Sequence, residues 1–226
     1  MKDVVEAFYQ YAEDYDKWFD TPTGKVLFRT EVEAVRLLIK DQGLDRPFLE
    51  IGVGTGRFAK ELGIDSGVDP SNKVLEIAKK RGIKVKEARG EQLPFKDESF
   101  GAVFLLFTLC FVQDTDKVFS EAKRVLKPDG ALIIGMINKE SLWGRLYLRK
   151  KVEGHPIYKY ASFYSIPDVL GMLVRAGMTV EAYSSTLRQP PSETPLRENV
   201  HEEFIENAGF VCMLARKIRP GINNHQ

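Results

Sequence analysis

The sequence predicts an α/β fold, a three-layer sandwich of helices around a mainly parallel sheet. Short apolar runs alternate with segments of helical periodicity along the chain, which is typical of this class. Residues 102–106 are almost continuously apolar, as in a central parallel strand buried on both faces. A third observation is the glycine-rich turn between an apolar run and a helical pattern at residues 48–59. The 226 residues are enough for one sizeable domain.

The elements follow one another at regular intervals. Residues 4–19 combine aromatic and acidic side chains at roughly helical spacing, and a second helix is expected over 25–40 after a break at 21–24. The remaining pattern predicts strands at 47–53, 67–69, 83–87, 102–106, 131–134, 178–187 and 209–216, and helices at 55–62, 71–81, 116–126 and from 165 to 176. Ser71 and Ser165 are the expected N-caps, Pro128 is expected to stop a helix, and Gly130 to permit a turn.

Composition excludes several classes of function. A formal net charge of +1 gives no excess of basic residues, so no nucleic-acid partner is expected. The sequence has neither a secretory segment nor an apolar run of membrane-spanning length, which predicts a cytoplasmic protein without membrane insertion. Cys110 and Cys212 lack the spacing of metal ligands, so we expect no metal and two reduced, buried thiols. The oligomeric state is left open.

The turn at residues 50–56 is suited to hold a polar ligand against the backbone. Its three glycines can adopt positive φ and carry no Cβ atom that would keep a ligand away. Arg57 occupies the place of the third glycine of a dinucleotide fingerprint, and Glu50 puts a carboxylate beside the turn. A pyrophosphate would be repelled there, whereas an ammonium or a sulfonium would be attracted.

Four segments together resemble the class I S-adenosylmethionine-dependent methyltransferases. Residues 50–56 resemble the first motif of that family, E/D-x-G-x-G-x-G, and residues 88–100 resemble its G-D-A-E-x-L-P-F-x-D-x-S-F-D segment. Residues 124–134 resemble R-V-L-K-P-G-G-x-L-x-I, and residues 11–19 the Y-x-x-x-Y-D-x-W/F segment that precedes the core. The resemblance is to the small-molecule branch, of the ubiquinone/menaquinone-biosynthesis or methyltransferase domain 11 type.

This resemblance implies a Rossmann-like sheet of seven strands whose last strand is antiparallel. It also implies an organisation in three parts. Residues 1–43 would form an N-terminal helical segment that covers the cofactor, and residues 44–218 the cofactor-binding core. An insertion at about 139–164 would form the wall of the substrate site. Residues 219–226 are expected to be a frayed tail.

The implied cofactor is S-adenosyl-L-methionine, with S-adenosyl-L-homocysteine as product. Glu50 would hold the amino group of the cofactor, and Asp69 would accept hydrogen bonds from the ribose, although Asp69 could also simply open a turn. Tyr15 could either cover a sulfonium or pack as a core residue. The full set of expected cofactor-binding residues is Tyr15, Glu50, Gly52, Gly54, Gly56, Asp69, Pro70, Gly90, Glu91, Leu106 and Phe107.

The sequence also departs from the family pattern. Arg89 replaces the acid that reads adenine, so that contact would fall to the backbone of Gly90 with Glu91 beside it. No histidine follows the fourth strand, and the catalytic residue is therefore unknown. His155 and Tyr158 in the insertion could act as acid or base, or could simply pack.

These observations favour methyl transfer to a small-molecule acceptor. An amine is preferred because acidic and aromatic groups of residues 11–19 would suit a cation. The missing histidine and Arg89 leave open a non-catalytic, cofactor-binding or regulatory protein. A nicotinamide-dependent dehydrogenase is a further alternative, opposed by Glu50 and Arg57.

Overall fold

A computed structural model describes residues 2–218 of the chain. Seven strands form one sheet in the order β3-β2-β1-β4-β5-β7-β6. In chain order the strands are β1 Phe48–Ile51, β2 Ser66–Asp69, β3 Lys84–Glu87, β4 Phe100–Leu106, β5 Leu126–Ile137, β6 Met178–Thr186 and β7 Phe210–Lys217. The helices are α1 Lys2–Trp18, α2 Pro22–Ile39, α3 Arg57–Leu62, α4 Asn72–Lys80, α5 Thr115–Val125, α6 Leu142–Val152 and α7 Ile166–Arg175. The expected tail, 219–226, lies outside the described residues.

The sheet confirms the predicted fold class. Strands β1 to β5 pair in parallel, and β7 runs antiparallel between β5 and β6. Every residue of β4 is buried, because helices cover both faces of the sheet and each face carries its own apolar cluster. The strand order reverses at β1, which has β2 on one side and β4 on the other. Ligand crevices of open parallel sheets form at such a point, beyond the carboxyl ends of the strands.

Two predicted boundaries are wrong. Helix α2 begins at Pro22 rather than Lys25, because the Thr21 side chain caps it and a proline fits the first helical turn. Strand β5 begins at Leu126 directly after α5, so Pro128 and Gly130 lie within an irregular start of the strand and not in a turn. The predicted cap at Ser165 is confirmed and forms a full capping box with Asp168.

In residues 2–218, no helix is both long and apolar enough to cross a lipid bilayer.

Candidate active site

The glycine turn joins β1 to α3 at the reversal point of the sheet. Gly52, Gly54 and Gly56 all have positive φ, of 72°, 51° and 79°. An added Cβ atom at Gly52 would lie 2.3 Å from the Thr108 side chain, and one at Gly56 would lie 2.9 Å from Cβ of Ala78. At Gly54 an added Cβ would meet no atom within 4 Å. The first and third glycines therefore permit close packing, whereas the second faces open space.

Asp69 ends β2 opposite this turn. Its carboxylate accepts hydrogen bonds from the backbone N–H of Gly54 at 3.1 Å and of Ser71 at 2.9 Å. Burial raises the pKa of Asp69 to about 6, against the lowering effect of these two bonds. Asp69 thus fixes the turn from across the sheet while it lines the adjoining cavity.

Two buried oxygen atoms near the turn lack a partner among the described residues. Oε2 of Glu50 is one of them, while the Glu50 carboxyl also accepts a hydrogen bond from the backbone N–H of Ala59. Burial, and then the charge of Asp69, raise the pKa of Glu50 far above its ordinary value. The other oxygen is Oγ of Ser71, which stands at the N-cap position of α4 without making the expected capping bond. Such groups are normally satisfied, so both atoms indicate room for a polar ligand.

A cavity of about 830 Å³ opens beside the turn, and we call it the glycine-turn cavity. Nine of the expected cofactor-binding residues line it, namely Tyr15, Gly52, Gly54, Asp69, Pro70, Gly90, Glu91, Leu106 and Phe107. Glu50 and Gly56 lie behind the lining, and the Glu91 carboxylate already accepts a hydrogen bond from the backbone N–H of Gln113. Sequence reasoning missed the lining residues Val4, Val5, Phe8, Thr108 and Phe111.

Residues of helix α1 line this cavity, and the N-terminal segment is held in place by ion pairs that range from largely shielded at Asp16 to exposed at Asp20. Arg57 Nε lies 2.9 Å from Asp16 Oδ1, and Arg57 Nη2 lies 2.7 Å from Asp20 Oδ2. Arg81 Nη2 lies 2.7 Å from the other oxygen of Asp16. Burial alone would raise the pKa of Asp16, but hydrogen bonds from Arg57 and Arg81 lower it to about 2. The cover and the glycine turn are therefore joined through Arg57.

Two further cavities meet the first one at Tyr15 and Phe107, which line all three. The aromatic cavity encloses about 580 Å³ and is bounded by Tyr147, Tyr158 and Phe163 of the insertion. The outer cavity, of about 980 Å³, is lined by Tyr11, Asp14, Trp18 and Glu31 in addition to Tyr15 and Phe107. Phe107 has a φ of 56°, a strained value for a non-glycine residue, and stacks on Phe210 at a centroid distance of 4.9 Å.

The structure places both catalytic candidates in the walls of these cavities. Nδ1 of His155 accepts hydrogen bonds from the backbone N–H groups of Ile157 and Tyr158, which occupies the nitrogen that a base would need. Burial, and then the charge of Lys150, lower the pKa of His155. Burial raises the pKa of Tyr158 beyond the range of a general base.

One of the two thiols differs from the expectation of burial. Cys212 is buried, but Cys110 is only partly buried and lines the aromatic cavity. Its Sγ donates to the carbonyl oxygen of Phe107, and burial raises the pKa of its thiol to about 12. A thiol in this state is a poor nucleophile.

Glu31 is a site residue that the sequence analysis did not identify. It lies on α2, is 6% exposed and lines the outer cavity. Burial raises the pKa of its carboxyl to about 8. The helical spacing in the sequence could have predicted its burial, because Glu31 lies four residues after Leu27 and four before Val35, on the apolar face of the helix.

Comparison with known proteins agrees with this geometry. Residues 49–134 match the family model of a methyltransferase domain. A crystal structure from Thermotoga maritima, described as an S-adenosylmethionine-dependent methyltransferase and possible histamine N-methyltransferase, superposes with a TM-score of 0.86 at 36% identity, covering 96% of this chain and 100% of that one. An uncharacterised protein of Methanocaldococcus jannaschii is 42% identical over 95% of this chain and 100% of its own length. A ubiquinone/menaquinone biosynthesis C-methyltransferase of Bartonella tribocorum is 28% identical over 97% of this chain and 85% of its length.

Proposed function

Because this chain belongs to the class I S-adenosylmethionine-dependent methyltransferases, we propose that it methylates a small amine bound in the aromatic cavity. The observation that carries the proposal is the meeting of the glycine-turn cavity and the aromatic cavity at Tyr15 and Phe107. A cofactor on one side of these two rings and an acceptor on the other would have their reacting atoms close together.

The residues around the glycine turn fit the cofactor. Oε2 of Glu50 lacks a partner and would accept from the cofactor amino group, directly or through water. Gly54 leaves open space for the methionine portion, and Asp69, beside Pro70, would accept from the ribose hydroxyls. Gly90 and Glu91 line the glycine-turn cavity, and their backbone would contact the adenine.

Bound S-adenosylmethionine supplies a methyl group on a sulfonium, which carries its own neutral leaving group. The protein therefore needs to orient the acceptor and exclude water more than it needs a strong acid. Leu106, Phe107 and Tyr15 would line an apolar passage for this purpose, and the residues of α1 that line the cavity would shield it from solvent.

Three features support an amine as the acceptor. The aromatic cavity is lined largely by aromatic side chains, whose ring faces attract cations. Asp14 and Trp18 at the outer cavity would favour the approach of a positive charge. The similar protein from Thermotoga maritima is described as a possible N-methyltransferase of an amine.

Calorimetric titration of S-adenosylmethionine and S-adenosylhomocysteine tests the cofactor site. We expect both to bind the full chain, and Asp69→Ala to weaken both at least tenfold because charge-assisted hydrogen bonds are lost. Glu87→Ala is the matched control, since Glu87 pairs in register with Asp69 on β3 but is exposed and outside the cavity lining.

Incubation with S-adenosylmethionine and a panel of small amines, phenols and quinone precursors, with mass detection of methylated products, then tests the reaction. Methylation of amines alone would support the proposal. Cofactor binding without turnover of any member would favour a non-catalytic binding protein, and failure of both ligands to bind would refute the cofactor site.

A further inference from the structure

Glu31 is a buried carboxyl group that the proposed cofactor site does not use. It makes no hydrogen bond and no ion pair with any residue in the described part of the chain, and it is only 6% exposed. A carboxylate in this condition is costly unless a cation or a set of donors reaches it. Its side chain lines the outer cavity, so a partner can come from outside the chain.

The surroundings of Glu31 are aromatic and already accommodate an ammonium group. Nζ of Lys150 lies 5.3 Å from the ring centroid of Tyr147 and 5.8 Å from that of Tyr158. The charge of Glu31 contributes to the raised pKa of both phenols and of Tyr15, which places all three near it. The other titratable groups facing the cavities around it are Tyr11, Asp14, Cys110, Lys150, His155 and Tyr164, with Cys212 behind.

We propose that Glu31 binds the amino group of the methyl acceptor, with the apolar body of the acceptor among Phe107, Tyr147 and Tyr158. The inference rests on the proposed function, because it names the residue that would recognise the acceptor. A single carboxylate flanked by ring faces suits an organic ammonium, and the apolar lining of the aromatic cavity suits an aryl or short alkyl body.

The same carboxylate also receives a proton in this scheme. The acceptor arrives as R–NH3+ and passes one proton to the Glu31 carboxylate, which leaves R–NH2 and a neutral carboxyl group. The nitrogen lone pair then forms the N–C bond while the C–S bond of the methyl donor breaks and its electron pair stays on sulfur. The products are R–NH2+–CH3 and S-adenosylhomocysteine. Because burial raises the pKa of Glu31 to about 8, the carboxyl can hold that proton near neutral pH.

Binding measurements test this assignment without turnover. 2-Phenylethylamine and histamine are titrated at pH 7 into the full chain saturated with S-adenosylhomocysteine, with 2-phenylethanol as neutral isostere and 3-phenylpropanoate as anion. We expect at least one amine to bind more than tenfold more tightly than the alcohol. Glu31→Gln should abolish this preference. Glu33 is a partly exposed carboxylate on the same helix that pairs with Arg197, and Glu33→Gln should retain the preference.

Proton release gives a second readout that a merely structural role would not change. At pH 7 the free carboxyl of Glu31 is mostly protonated, so binding of an ammonium must release most of one proton to the buffer. Titrations in two buffers with different heats of ionisation measure that proton, and Glu31→Gln should release none.

Several outcomes would overturn the assignment. They are equal binding of amines and alcohol, amine binding that survives Glu31→Gln, tighter binding of the anion, and absence of amine binding to a protein that binds S-adenosylhomocysteine. If S-adenosylhomocysteine itself fails to bind, the proposed function fails, and that result is distinct from all of these.

Discussion

Replacement of Glu31 by glutamine is expected to stabilise the protein, by an amount that grows with pH. Burial raises the pKa of the carboxyl from 4.5 to about 8 on folding. Between pH 4.5 and 8 the folded protein keeps a proton on Glu31 that the unfolded chain has already lost. Glu31 therefore destabilises the fold least below pH about 4.5, where it is protonated in both states. Stability is lost progressively as the pH rises, and the loss is complete above pH 8.

The magnitude follows from the shift. Each pH unit between the two pKa values corresponds to about 1.4 kcal/mol of differential stability. Relative to a neutral side chain of the same shape, the Glu31 carboxyl then costs about 3 kcal/mol at pH 7 and about 5 kcal/mol above pH 8. The free energy of unfolding of a typical domain is about 5–15 kcal/mol, so such an effect is large.

Urea unfolding at pH 5, 6, 7 and 8, followed by far-ultraviolet circular dichroism, measures this difference. The free energy of unfolding of Glu31→Gln minus that of the wild type should rise by about 1.4 kcal/mol per pH unit. Glu33→Gln is the control, and loss of its exposed ion pair with Arg197 should change stability by less than about 1 kcal/mol. A difference that stays constant from pH 5 to pH 8 would refute the argument that Glu31 is desolvated and unpartnered.

Three further predictions concern the cofactor side. Asp16→Asn should lower the free energy of unfolding at pH 7 by about 2 kcal/mol and weaken S-adenosylmethionine binding. The lowered pKa of Asp16, about 2, stabilises the fold above pH about 4, and this stabilisation is lost as the pH falls through 2. Urea unfolding measures the stability and calorimetry the affinity, and an unchanged cofactor affinity would contradict a role of α1 as cover. The affinity for S-adenosylmethionine should fall by up to tenfold per pH unit as the pH drops below 6. Protonation of Asp69 removes the charge that strengthens the hydrogen bonds it accepts and turns one of its oxygens into a donor, and Asp69→Asn should flatten this profile. Gly54→Ala should reduce cofactor affinity and lower the free energy of unfolding by about 1 kcal/mol, because Gly54 has a positive φ. Gly56→Ala should lower the free energy of unfolding more, because its added Cβ would also meet Ala78. Equal unfolding midpoints of the two variants would argue against a packing role for Gly56 and an open site at Gly54.

The fold could be predicted because its signals are local. The apolar run of β4, the glycine turn and the proline and serine caps each act through the conformation of a few neighbouring residues. The predicted ends of helices and strands were wrong where a residue type is compatible with two positions in the local structure. Pro22 was interpreted as a helix breaker but lies in the first turn of α2, where its missing N–H costs nothing.

The acceptor side could not be predicted in the same way, because it depends on contacts between distant segments. Glu31 and Glu33 belong to the same helix, yet one is buried at a cavity and the other pairs with Arg197 at the surface. Only the position of Glu31 on the apolar face distinguishes them in the sequence. The outer cavity is lined by Glu31 from α2 and by Tyr147 and Tyr158 from the insertion, which lie more than 100 residues further along the chain.

Arg57 departs from the dinucleotide-binding motif and has a structural role elsewhere in the fold. In the sequence, Arg57 stands in place of the third glycine of a dinucleotide fingerprint. That observation argues against a bound dinucleotide but does not say what the turn does bind. In the structure its guanidinium joins Asp16 and Asp20 of the N-terminal segment to the first turn of α3. Asp16 on the covering helix and Arg57 after the glycine turn are 41 residues apart in the sequence, yet they form an ion pair that is largely shielded from water, while the pair of Arg57 with Asp20 is exposed. A rigid displacement of the C-terminal part of α1 would therefore have to break the pair of Asp16 with Arg57 or carry α3 with it.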